Sequence, residues 1–380
     1  MKFDAGGMDV RISRRRSQPW AERLHVDLPL LAGLFVLMAF ASMILYSASG
    51  QNVDVVIRQA GRLALAFAVM LTLAQMHPRT FKSLAPFLFG SGVLMVGAVL
   101  VIGDIGKGAQ RWLDLGVFRF QPSEVMKLAM PMMISWYLSE TPLPPRFGAV
   151  AMSALLILVP ALLIAKQPDL GTAMLVAVSG CVPLFLGGIA WGYLLALAIL
   201  GGGSLPIVWY FLRDYQRDRV HTFLDPEADP LGRGYHIIQS KIAIGSGGLY
   251  GKGWLHGTQG HLEFLPERST DFIFAILAEE FGLMGCLALL AVYLFILARC
   301  VHIAVQAQDT FTQLLSGALT VTFFFYVFVN IGMVIGILPV VGVPLPLVSY
   351  GGTSMVTLLA GFGILMSIQT HRKWFTAPPR

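Results

Sequence analysis

Charge is what this sequence has least of. Lys, Arg, Asp and Glu make up 13% of its 380 residues, where a soluble domain averages about 25%, and so small a set cannot cover a globular surface. Cysteine is scarce too. Cys181, Cys286 and Cys300 each fall within or at the edge of an apolar stretch, which excludes a disulfide framework and a thiolate metal centre. The eight histidines come with no Cys pair and no HExxH pattern, even where His256 and His261 lie close together, so a zinc site is excluded as well. The glycines of GLYGKGWLHGTQG follow no strand and lack Walker or dinucleotide spacing. They read as turn glycines, and no organic cofactor is expected.

Apolar residues are abundant instead: 56% of the chain is hydrophobic and the mean hydropathy is +0.71. Long apolar runs occur at roughly 28–49, 60–76, 83–103, 123–138, 147–165, 170–187, 189–211, 271–299, 311–335 and 350–370. Each is near the ~20 residues a bilayer requires. A backbone in lipid must satisfy its own hydrogen bonds, so runs of this length are helices. The expected fold is therefore all-α: a polytopic membrane protein with about ten transmembrane helices and one large, partly helical periplasmic loop. The first run is too long, and too poor in small residues at its end, for a cleaved signal peptide.

Lys and Arg give the orientation. With the N-terminus in the cytoplasm, inner segments carry 13 basic residues and the short outer loops carry six, namely Arg58, Arg62, Lys107, Arg111, Arg119 and Lys166. This follows the positive-inside rule and places both termini in the cytoplasm. RISRRR (11–16) then reads as a topological anchor at anionic membrane lipids, and a nucleic-acid partner is not expected. The resulting divisions are a cytoplasmic basic N-terminus (1–27), seven spans (28–211), the periplasmic loop (212–270), three spans (271–370) and a cytoplasmic C-terminus (371–380). The loop holds seven basic and seven acidic residues. Such balance suits internal pairing or a polar ligand, and a connection this long is usually functional or disordered.

Ionisable groups at membrane depth cost several kcal/mol unless paired or wetted, so each is a functional candidate. Glu124 and Lys127 lie three apart on one helical face, where they can pair. Lys166 and Asp169 flank a tight turn in KQPDLGTA, and Asp271 opens the run 271–299. All five fall at outer helix ends, which suggests an outward polar cleft with Arg111 and Gln121 on its rim. Plainer readings stay open: a structural pair for Glu124 and Lys127, and helix caps for Asp169 and Asp271. Glu279 and Glu280, about two turns into the same run, favour structural hydrogen bonding.

These residues carry a resemblance. GAQRWLDLG…FQPSEVMKL (108–128), KQPDLGTA (166–173), DPLGRGYHIIQSKIAIGSGGLYGKGW (229–254), FLPERSTDFIFAILAEEFG (264–282) and GVPLPLVSYGGTSM (342–355) are similar, in order, to the SEDS family of peptidoglycan glycosyltransferases. KGWLHGTQ before FLPE, with the short N-terminus, points to its elongation branch. The resemblance implies polymerisation of lipid II, a disaccharide pentapeptide on undecaprenyl diphosphate, by inverting transfer that releases undecaprenyl diphosphate. It implies Asp271 as the catalytic acid, here a general base, with Glu124, Lys127, Lys166, Asp169, Arg111, Gln121 and Lys241 binding or supporting the substrate. It further implies a class B penicillin-binding transpeptidase and other elongation-complex proteins as partners. A divalent cation, Mg2+ or Mn2+, is expected to help neutralise the diphosphate. The rival from another class is a flippase for lipid-linked precursor. No internal repeat supports that reading, and the charges avoid the midplane where transporters bind. A membrane scaffold has no use for five polar groups aimed at one cleft.

Overall fold

The computed structural model describes residues 25–106, 109–114, 119–193, 214–225, 234–258 and 267–372, with residues 195, 196, 199, 202, 203, 209, 210 and 227. The apolar runs form helices α1 (Leu28–Ala48), α2 (Val53–Gln75), α3 (Pro78–Ile102), α4 (Pro122–Ser139), α5 (Phe147–Lys166) and α6 (Leu170–Leu186). Two helices within the expected loop follow, α7 (Asp214–Leu224) and α8 (Tyr235–Gly247), then α9 (Ile273–Val305), α10 (Thr310–Val334) and α11 (Thr353–Thr370). By length and apolarity seven of these are candidate membrane spans: α1, α2, α3, α5, α9, α10 and α11. The expected span 189–211 lies largely outside the described residues.

Helices α2 and α3 begin earlier than their apolar runs because polar caps start them. The Asn52 side chain accepts from the Asp54 and Val55 amides at 3.0 and 3.4 Å, and His77 Nδ1 accepts from the Arg79 amide at 3.2 Å. The polar first turns that follow hide these starts from a hydropathy reading. One departure from an all-α fold is a small antiparallel sheet of β1 (Asp104–Gly106), β2 (Ala109–Asp114) and β3 (Arg119–Phe120), in the order β1-β2-β3. It pairs Ile105 with Gln110 and Leu113 with Phe120.

The run 271–299 differs from expectation in two ways. Its helix starts at Ile273, and at Gly282 the backbone breaks (φ 62°, ψ −160°). Residues 283–305 alone extend about 34 Å at 1.5 Å per residue, enough to cross the ~30 Å hydrocarbon layer. Glu279 and Glu280 therefore lie in a short helical segment about two turns long, set off from residues 283–305 by the break. Residues 248–253 lace onto the break: Lys252 and Gly253 amides donate to the Glu279 and Glu280 carbonyls at 3.0 Å, and Leu283 and Met284 amides donate to the Gly248 and Leu249 carbonyls at 3.0 and 3.1 Å. Only glycine permits this approach, since a Cβ at Gly282 would stand 2.4 Å from the Gly251 nitrogen. Both carboxylates are buried in the junction. Glu279 accepts from Lys252 Nζ at 2.7 Å and the Thr258 amide at 2.8 Å, while Ser47 at the end of α1 donates to Glu280.

One buried cluster joins α1, α2, α9, α10 and α11, and a second fills the space among α3 to α6. Helix α11 meets α2 so closely that a Cβ on Gly363 would lie 2.4 Å from the Met70 carbonyl oxygen. Both described termini share one end of the bundle, where the His25 and His371 rings stack at 4.1 Å. At that end Arg299 grips Asp27 with two bonds of 3.0 and 2.6 Å. The polar residues singled out from the sequence lie at the opposite end.

Candidate active site

Helix α4 brings Glu124 and Lys127 inward on its first two turns. Their side chains are 7% and 10% exposed, and Lys127 Nζ donates to Glu124 Oε1 at 2.7 Å. The same ammonium lies 5.3 Å from the centre of the Tyr326 ring on α10. Between α4, α10, α11 and the loop ahead of α11 is a cavity of about 50 Å³ lined by Glu124, Lys127, Tyr326, Pro344, Ser349 and Ser354, among others. A water needs only ~10–15 Å³. Glu124 Oε2 and Thr322 Oγ1 are buried there with no protein hydrogen-bond partner among the described residues, so the cavity suits polar occupants.

Asp169 is the N-cap of α6, accepting from the Thr172 amide at 3.3 Å through Oδ1. The capping role thus holds, but it uses one oxygen. Oδ2 receives Gln121 Nε2 at 3.4 Å and faces Arg111 Nε at 3.6 Å. Strand β2 carries Arg111 to this turn, where Nη2 also donates to the Pro168 carbonyl at 2.9 Å. Gln121 immediately precedes α4, so the Arg111–Asp169–Gln121 group is tied along the chain to the Glu124–Lys127 pair.

Asp271 is not itself the N-cap residue: that position of α9 is held by Phe272, and Asp271 stands just ahead of it in the turn 267–272. That turn is fastened to the loop before α11: the Tyr350 amide donates to the Ser269 carbonyl at 2.8 Å and the Ser349 hydroxyl donates to the Thr270 carbonyl. The Asp271 carboxylate lies over Gly342, 3.5 Å from where a Cβ would stand. Beside it, the His236 ring of α8 stacks on Phe272 at 5.9 Å. Burial lowers the His236 pKa, with Glu267 pulling weakly the other way. The imidazole is accordingly neutral at pH 7, above its lowered pKa.

Two expected participants stand apart. Lys166 ends α5 with its side chain exposed and takes no part in either ion pair. Lys241 on α8 runs along Gly336, past the end of α10, where a Cβ would meet its Cε at 2.4 Å. Sequence reasoning missed Tyr326 and Asn330, which sit within VTFFFYVFVN in the apolar run 311–335. Only Phe324 and Phe328 of that stretch are markedly exposed, while Tyr326 and Asn330 point inward. Four-residue spacing of polar atoms on an apolar helix was the available signal.

A family model for cell cycle proteins of the FtsW/RodA/SpoVE type matches residues 22–374. The chain belongs to this family. It is 53% identical over 353 residues to peptidoglycan glycosyltransferase MrdB of Escherichia coli K12, covering 93% of this chain and 95% of the relative. Among solved structures it is similar to a chain from a peptidoglycan synthase complex that coordinates polymerization and crosslinking, at TM-score 0.79 and 34% identity, covering 90% of this chain and 97% of that one. It is also similar to the rod shape determining protein RodA of Thermus thermophilus, at TM-score 0.69 and 29% identity, covering 91% and 98%. The family expected from the sequence is the family found.

Proposed function

We propose that this chain is a peptidoglycan glycosyltransferase that polymerises lipid II into glycan strands during cell elongation. Support comes from the identity to MrdB over nearly the whole chain and from the polar groups gathered at one end of a membrane bundle. The observation that carries the chemistry is the place of the Asp271 carboxylate, in the turn ahead of α9 and over Gly342, at the same end as a buried ion pair. In the bilayer we read α4, α6 and the run 189–211 as spans beside the seven long apolar helices, making about ten. Both termini then lie in the cytoplasm and the cleft faces the periplasm of an inner-membrane protein.

Inverting transfer requires a base on the attacking hydroxyl and positive charge at the leaving diphosphate. Asp271 takes the proton of the acceptor sugar hydroxyl as its oxygen bonds the donor anomeric carbon. The anomeric bond to the diphosphate breaks, and its electron pair leaves on the phosphate oxygen, towards Lys127 and Arg111. Glu124 and Asp169 hold those two cations in place. An apolar groove of about 440 Å³ runs from Glu124 and Phe120 past Leu128 and Met132 to Met76 and Phe81. Its apolar lining suits the undecaprenyl tail while the diphosphate stays at the polar end.

Among the described residues no three His, Cys, Asp or Glu side chains come together, and the Glu124 and Asp169 carboxylates each face a cation. The donor set of the described residues offers no resident divalent site by itself, and no step above passes through one. The partner we infer is a class B penicillin-binding transpeptidase, consistent with similarity to a chain of a synthase complex. Supplying purified protein with labelled lipid II in detergent tests the activity. A polymerase yields glycan chains there, whereas a flippase, which needs two compartments, yields none.

A further inference from the structure

Asn330 on α10 is fully buried. Its Nδ2 donates to two carbonyls at once, that of Asp271 at 3.0 Å and that of Val343 at 2.7 Å. Because both neighbours can only accept, the amide has a single workable orientation with its nitrogen towards them. Oδ1 is turned away, buried, with no protein hydrogen-bond partner among the described residues. A side chain kept for stability alone is expected to satisfy both of its ends, and this one satisfies only the end that meets the acid's own backbone.

The two carbonyls belong to segments that matter to the acid. Asp271 lies in the turn before α9, and Val343 follows Gly342, over which the Asp271 carboxylate rests. Asn330 therefore clamps together the backbone that carries the carboxylate and the loop beneath it. It also stands four residues after Tyr326, whose ring borders Lys127 at 5.3 Å. Four residues of helix rise about 6 Å. A single face of α10 thus registers both the acid's backbone and the buried cation.

We infer that Asn330 is a positioning residue for glycan transfer. It holds the Asp271 turn at a fixed offset from the Glu124–Lys127 pair, and its loss impairs proton abstraction ahead of folding or substrate capture. This rests on the reading of Asp271 as the base.

The test is a double-substitution cycle in the full-length protein: wild type, Asn330→Ala, Asp271→Asn and the double variant, with kcat and KM for labelled lipid II measured over long incubations. Misplacing a catalytic group by about 1 Å costs on the order of 10²-fold, so Asn330→Ala is expected to lose roughly that in kcat with KM nearly unchanged. Added to Asp271→Asn, the same substitution is expected to cost at most about threefold more, since no base remains to be positioned. Equal losses in both backgrounds, or a loss confined to KM, overturn the positioning role. If Asn330→Ala fails to accumulate in membranes, Asn330→Ser, which keeps one donor, takes its place in the cycle under the same criteria. An Asp271→Asn enzyme within a few-fold of wild type overturns the base reading and this inference with it. An Asp271→Asn enzyme slowed by the roughly 10²- to 10⁴-fold of general-base loss, combined with additive losses, overturns the positioning role alone.

Discussion

Replacing Lys127 by Met deletes one charge from the Glu124–Lys127 pair while keeping the length of the side chain. At 2.7 Å and an effective dielectric near 20, the attraction is about 6 kcal/mol, much of it offset by the desolvation of both ions. Either single change, Lys127→Met or Glu124→Gln, leaves a nearly buried charge without its partner. The expected destabilisation is about 3–5 kcal/mol. The double variant buries no charge and should unfold close to the wild-type temperature. Catalysis separates from stability here, because a cation that receives the diphosphate is missing from Lys127→Met and from the double variant alike. Both should polymerise lipid II at least ~10²-fold more slowly. Thermal unfolding in detergent, followed by fluorescence of the seven tryptophans, is measured beside polymerisation. A double variant that regains activity together with stability would show the pair to be scaffolding and refute its place in the chemistry.

Gly282→Ala forces a Cβ against the Gly251 nitrogen at a positive φ; it should detach residues 248–253 from α9, seen as rapid amide exchange at Lys252 and Gly253, and unchanged protection would count against the clamp. Because no three-donor cluster assembles among the described residues, Mg2+ or Mn2+ is expected to enter with the diphosphate: turnover should rise with the ion, while the substrate-free protein retains no Mn2+ on dialysis. Full turnover in excess chelator would leave charge neutralisation to Lys127 and Arg111. Adding the class B transpeptidase partner should raise the polymerisation rate of the isolated chain, and an unchanged rate would argue against activation by that partner.

Helix positions were largely legible in the sequence, since lipid leaves an apolar run no alternative to helix. Starts set by Asn52 and His77 were not, because a capping side chain is polar and a hydropathy reading ends before it. The break at Gly282 escaped notice for a related reason: AEEFGLMG reads as continuous helix until the bonds from residues 248–253 supply what the helix gives up. The Glu124–Lys127 pair could be read from a three-residue spacing, since local geometry fixes it. Contacts such as Arg111 with Asp169, or Asn330 with Asp271, depend on long-range packing that no spacing encodes. Asp169 shows both cases, its capping oxygen foreseeable from KQPDLGTA and its second oxygen committed to Arg111 and Gln121 from elsewhere in the chain.

The central claim is that Asp271 takes the proton in glycan transfer, and Asp271→Asn tests it most directly. Asn keeps the size and hydrogen-bonding shape of Asp but cannot accept the proton, and since Asn also serves helix ends about as well as Asp the fold should not register the change. Lipid II polymerisation by the purified variant is predicted to fall by roughly 10²- to 10⁴-fold, with thermal unfolding and transpeptidase binding as in wild type. A variant polymerising within a few-fold of wild type would contradict the account.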